Sequence, residues 1–263
     1  MAQIDNRYAQ RGFGARADVA VDEGLRAYML RVYNYMAAGI ALTGLVAYVM
    51  FTYAVTTDLA LAAPSGVRAL HRGMYLTPFG QLIYVSPLKW VIMLAPLGFV
   101  FFLSWRIYKM SVGAAQLAFW VFAAAMGASL SSIFLVYTGQ SITQVFFVTA
   151  AAFGALSLWG YTTKKDLSGW GSFLIMGVFG IIIASLVNIF LQSSALQFAI
   201  SVIGVLVFAG LTAYDTQRIK DVYFEIAGDA TATAKAAIMG ALNLYLDFIN
   251  MFVMMLQLFG NRE

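Results

Sequence analysis

The sequence predicts an all-α integral membrane protein with seven transmembrane helices, and three observations carry that reading. Hydrophobic residues make up 62% of the 263 positions and charged residues only 11%, with mean hydropathy +0.80, whereas soluble domains carry about 25% charge. Apolar runs long enough to cross a hydrocarbon layer, which takes about 20 helical residues, recur seven times. Lys and Arg are sorted between the links on the two sides of those runs, as membrane insertion requires.

Residues 1-27 come first, polar and mixed in charge, and read as a cytoplasmic tail too poor in apolar side chains to pack alone, hence mobile or held by a partner. The first run, 28-54, far exceeds the h-region of a cleaved signal peptide and is expected to stay in the protein. A long outside loop, 55-85, follows, with Pro64, Ser65, Gly66, His71, Pro78 and Gln81. The second run, 86-105, contains Pro96, which removes a helical donor and predicts a kink, and it closes on Arg106. The third and fourth, 114-136 and 143-161, hold small residues at helix-packing spacing, Gly127 with Ser131 and Ala150 with Gly154. The fifth, 171-191, carries Asn188, which reads as an interhelical hydrogen-bonding group. The sixth, 195-217, ends in "GLTAYDTQRIK", bringing Asp215, Arg218 and Lys220 to one end. The seventh is 236-259. No internal repeat is evident, so 28-263 reads as one seven-helix domain.

With the N-terminus inside, the inner segments hold Arg7, Arg11, Arg16, Arg26, Arg31, Arg106, Lys109, Lys164, Lys165, Arg218, Lys220 and Lys235, and the outer ones only Arg68, Arg72, Lys89 and Arg262. That bias predicts a multi-pass protein of the cell's inner (plasma) membrane with its N-terminus cytoplasmic and its C-terminus outside. It also accounts for the net charge of +4, so no nucleic-acid partner is called for. The absence of Cys excludes disulfides and thiolate chemistry, and a single His, His71, excludes bis-His haem and multi-His metal centres. No cofactor and no enzymatic activity are expected, because no nucleophile with a paired base can be read from the motifs. A retinal protein is set aside because the seventh run lacks a Lys.

The seventh run raises the functional question. In "NLYLDFINMFVMMLQLFG", residues 243-260, Asn243, Asp247, Asn250 and Gln257 are spaced to share one helix face. An Asp at the centre of a membrane helix costs about 2.5-3.5 kcal/mol on insertion scales, so the stripe must face protein or water. If Asp215 and Asp247 meet, repulsion and desolvation favour one shared proton. Arg106 against such a pair makes a bistable triad, held in one protonation state and released in the other. The same acids, with the Asn243 and Asn250 amide oxygens, would suit Ca²⁺ or a hydrated cation path. More ordinary readings stand beside these: Asp215 paired locally with Arg218, and Arg106 as a plain inner flank. Counting from the helix ends puts Asp215 near the interface and Asp247 near mid-depth, so their contact is not settled by spacing.

"NLYLDFINMFVMMLQLFG", "AYDTQRIK", "KKDLSGWGSFL" and "SWRIYKMSVG", in that family's order from about residue 100 to 260, resemble the marks of the Bax inhibitor family, also called transmembrane BAX inhibitor motif proteins. The resemblance implies a seventh helix at the centre, enclosed by the other six in two layers of three. It implies that Asp215 and Asp247 form a hydrogen-bonded pH sensor, that Arg106 is the latch, and that Ca²⁺ is a permeant ion leaking through the bundle under pH control. Asn243, Asn250, Asn188 and Arg218 are then candidates for the ion path or its support. Two other classes stay open. One is an interaction protein acting on a membrane-bound quality-control protease, the other a proton- or cation-coupled transporter using the same acids.

Overall fold

The computed structural model describes residues 2-63 and 73-261, with side chains from Glu23 onward. Among them, seven helices are long and apolar enough to cross a membrane. The first is the later part of α1 (Ala2–Ala54), and α1 starts so early that residues 2-27, expected as an unpacked tail, carry helical backbone. The others are α3 (Leu88–Arg106, continued by a tight turn to Lys109), α4 (Val112–Leu130), α5 (Gly139–Thr162), α6 (Ser168–Leu191), α7 (Ser194–Ile226) and α8 (Ala230–Phe259). Hydropathy places the spans well and the helix ends less well. The sixth run reads as ending at 217, yet α7 continues to Ile226, because "RIKDVYFEI" is a helical segment too polar to count as membrane.

Polar caps start several of these helices. Ser111, Thr138, Ser193 and Asp229 each accept a hydrogen bond from a backbone N–H in the first turn of α4, α5, α7 and α8, satisfying donors that would otherwise be orphaned at the helix start. In the long link, Val55 and Thr56 (β1) pair antiparallel with Leu76 and Tyr75 (β2), and Thr77 with Pro78 opens the short α2 (Pro78–Tyr84). Pro64, Ser65, Gly66, Arg68, His71, Arg72 and Arg262 lie outside the described residues.

Two groups of helices share contacts with α8. On one side α4 packs against both α1 and α3; on the other, α7 packs against both α5 and α6. Between them α8 makes its principal contacts with α1, α4, α5 and α7, while α3 and α6 sit farther out. Two-thirds of α8's membrane window is buried, 67% against 17-33% for the others. Aromatic contacts knit α8 to both groups, Phe122 to Tyr245 at 5.3 Å and Phe153 to Phe248 at 5.6 Å between ring centroids.

Two close approaches set the spacing. A Cβ on Gly127 would stand 2.6 Å from the Thr43 carbonyl oxygen of α1, and one on Gly160 would stand 2.3 Å from the Ala213 carbonyl of α7. Only Gly lets those backbones meet. Gly154, expected to serve such a contact, has nothing within 4 Å of its Cβ position; the glycine of α5 that does so is Gly160, nearly two turns on.

Candidate functional site

α7 and α8 form an antiparallel hairpin joined by a short turn around Gly228. Asp215 lies 13 residues before that glycine and Asp247 19 after it, an offset of roughly 9 Å along parallel axes. Side-chain direction closes the gap. Every helical Cα–Cβ bond tilts toward its own N-terminus, so in an antiparallel pair Asp247 leans back toward the turn while Asp215 leans away from it. The two carboxyl groups come within hydrogen-bonding reach of each other.

Asp215 is half-buried and Asp247 is 4% exposed. The Oδ2 atom of Asp247 is buried with no hydrogen-bond partner among the described residues, and unsatisfied buried polar atoms are rare. Two ionised carboxylates accept and cannot donate. One proton between them supplies the missing donor and turns repulsion into a hydrogen bond.

Arg218, one turn beyond Asp215 on α7, is exposed and acts on Asp215 through its charge. Arg106 closes α3 as an exposed side chain, and no ion pair joins it to either acid among the described residues. The Lys side chains nearby bind carbonyls rather than acids. Lys220 donates to the Tyr161 carbonyl at the end of α5 (3.0 Å) and stands 5.6 Å from that Tyr's ring, while Lys235 donates to the Tyr108 carbonyl beyond α3 (3.1 Å). Cations at C-terminal carbonyls are favourable in their own right.

The segment "AYDTQRIK" therefore points in several directions. Asp215 meets Asp247. Buried Thr216 bonds Ser157 of α5 (2.9 Å), which in turn meets Tyr33 of α1 (2.5 Å). Gln217 accepts from the Leu167 N–H (2.8 Å) and donates to the Lys165 carbonyl (2.8 Å), fixing the α5–α6 link on α7. Tyr214 rests on Gly171, where a Cβ would meet its hydroxyl at 2.5 Å. Gln217, and the partner of Lys220, escaped the sequence reading because both residues bond backbone atoms of another segment, which leave no residue-type signature.

The α8 stripe divides. Asn243 and Asn250 flank Asp247, both half-buried, and Asn250 donates to its own helix at Leu246 (2.8 Å). Gln257 belongs to a separate cluster at the far end, accepting from Gln197 (2.7 Å) and Ser201 (2.9 Å). Asn188 joins that cluster, donating to Gln197 (3.1 Å) and accepting from the Ser193 N–H (3.0 Å) beside a polar cavity of about 540 Å³. Gln197 and Asp215 are 18 residues apart on α7, about 27 Å, so Asn188 stands at the opposite end from the acids. Among the described residues no group of three or more His, Asp or Glu side chains could hold a metal. Two carboxyl groups fall well short of the 6-8 oxygens that Ca²⁺ takes.

Comparison with known proteins adds a family. A model of the family described as "Inhibitor of apoptosis-promoting Bax1" matches residues 25–263. The chain is similar to an uncharacterized protein of Caulobacter vibrioides, 46% identical over the whole of both chains. It is similar to inner membrane protein YbhL of Escherichia coli, 44% identical over 91% of this chain and 94% of the relative. A third, the uncharacterized protein RP147 of Rickettsia prowazekii, is 46% identical over 92% of each.

Proposed function

The chain belongs to the Bax inhibitor family of membrane proteins, and from that premise we propose that it is a pH-sensitive, calcium-permeable leak channel with Asp215 and Asp247 as proton sensor and Arg106 as latch. One observation carries the proposal. In the most buried of the seven spans, Asp247 keeps a carboxylate oxygen without a partner among the described residues, directly beside a second acid. A carboxylate in mid-span costs about 2.5-3.5 kcal/mol, and a proton-dependent switch puts that cost to use.

With both acids ionised, the pair needs a cation. With one proton shared, it satisfies itself and lets Arg106 go. Arg106 is exposed, with no ion pair among the described residues, which is compatible with the second arrangement. Only 17% of the α3 membrane window is buried, and α3 packs on α4 rather than principally on α8. Leu103 and Ile107 on either side of Arg106 are fully buried, so the latch motion either pivots the exposed Arg106 side chain alone or draws those two residues from the core. Acidification thus favours opening, and Ca²⁺ passes as cargo past the oxygens of the α8 stripe. The excess of Lys and Arg at the Arg106 end supports a cytoplasmic N-terminus, and the printed name of the Escherichia coli relative supports an inner-membrane location.

Ca²⁺ flux into liposomes tests the reading, stepped from mildly alkaline to mildly acidic pH for wild type, Asp215→Asn, Asp247→Asn and Arg106→Ala. The channel reading expects pH-dependent flux that each substitution alters. Flux no higher than in empty liposomes at every pH would sink it, leaving an interaction protein acting on a membrane partner.

A further inference from the structure

α5 and α6 both pack on α7 but make no principal contact with each other. A groove is left between them, about 300 Å³, on the lipid-facing side of the bundle. Its floor includes Ala209 of α7 and Leu174 of α6, whose side chain packs on Gly210. Trp159 of α5 and Trp170 of α6, both exposed, form its walls. At the end where the two helices are linked, Lys165 and Asp166 close it. Tryptophans at the ends of two spans mark the level of the lipid headgroups.

From this geometry we infer that the groove binds one phospholipid with a zwitterionic, ammonium-bearing headgroup. The acyl chain lies on the floor between α5 and α6, the phosphate meets Lys165, and the ammonium meets Asp166 and the faces of the two indole rings. The rim carries one charge of each sign, neither in an ion pair among the described residues, which matches a zwitterion. Indole faces attract cations. Asp166 is ready for that role: the Ser168 hydroxyl and N–H donate to its carboxyl and hold it below the usual carboxylate range. Lys164, next in sequence, is exposed and outside the groove lining.

The occupant would also have a route to the acid pair. Gln217 clamps the link through Lys165 and Leu167, and it sits two residues from Asp215 on α7. A headgroup on the link therefore bears on the helix that carries the sensor.

The test is native mass spectrometry of the intact protein in detergent, titrated with dioleoylphosphatidylethanolamine, dioleoylphosphatidylglycerol or dioleoylglycerol. One phosphatidylethanolamine should be retained in preference to the other two. Trp170→Leu should weaken retention about fivefold, the scale of one cation–π contact, and Asp166→Asn, which keeps the bond from the Ser168 N–H, should weaken it by up to about fivefold, the scale of one exposed ion pair. Lys165→Gln should weaken phosphatidylethanolamine and leave dioleoylglycerol unchanged. Equal retention of all three lipids, a preference for phosphatidylglycerol, or undiminished binding by Asp166→Asn would overturn the assignment and reduce the groove to annular lipid.

Discussion

Gly154 and Gly160 lie on the same helix, and the same substitution at each should move stability in opposite directions. Gly→Ala in a helix interior gains about 0.8-1.0 kcal/mol from backbone propensity alone. At Gly154, with nothing within 4 Å of the added methyl, that gain stands unopposed. At Gly160 the methyl would lie 2.3 Å from the Ala213 carbonyl oxygen and 2.9 Å from its carbonyl carbon and Cα. All three are backbone atoms, so no rotamer change relieves the clash and α5 must back away from α7. Overpacking of this kind costs about 1-3 kcal/mol. Set against the propensity gain, the net is a loss of up to about 2 kcal/mol. Thermal unfolding in detergent reads both, at about 2-4 °C per kcal/mol for a chain near this size. Gly154→Ala should melt about 2-4 °C higher and Gly160→Ala several degrees lower, with Gly160→Val lower still. An equal rise for both alanine variants would refute the close α5–α7 approach.

Gln217→Leu removes both bonds to the α5–α6 link, so hydrogen exchange at the Leu167 amide should speed up markedly while the middle of α7 stays protected. Tyr245→Phe tests the tie between α8 and α1: Thr43 already donates to the Ala123 carbonyl, so Tyr245 must donate to Thr43 at 2.6 Å. Its loss should lower stability by about 0.6 kcal/mol, and not beyond about 1.7, the range for hydrogen bonds between membrane helices. Lys220→Met forfeits the bond to the Tyr161 carbonyl; melting should fall, and Lys220→Arg should restore part of the loss because the charge at the helix end returns.

All seven spans were legible in the sequence because hydropathy responds to the bilayer, which acts on every residue of a run. What hydropathy cannot see lies where the chain leaves the bilayer. The polar continuation of α7 to Ile226 and the start of α8 behind the Asp229 cap are set by helix propensity and capping instead. In the 55-85 link, Thr77 followed by Pro78 is a readable cap for α2, but the two-residue strands beside it are too short to show alternation. The candidate acids were visible one by one as polar residues out of place. Their meeting was not, since axial counting separates them and only the opposed tilt of Cβ in an antiparallel pair brings them together. Asn188 was legible as an interhelical hydrogen-bonding group, and it does bond Gln197 of α7; its place at the other end from the acids was not legible, because it depends on which turn of α7 faces it.

The central claim is a proton held between Asp215 and Asp247 that comes and goes with pH. Infrared spectroscopy of the protein in lipid sees that proton directly, as the carbonyl band of a protonated carboxyl. Such a band is expected in the wild type at mildly acidic pH, fading as pH rises in step with the loss of Ca²⁺ flux, and displaced in frequency or in pH midpoint by Asp215→Asn and Asp247→Asn alike. Two carboxylates ionised throughout the range in which flux changes, or a band left unchanged by both substitutions, would contradict it.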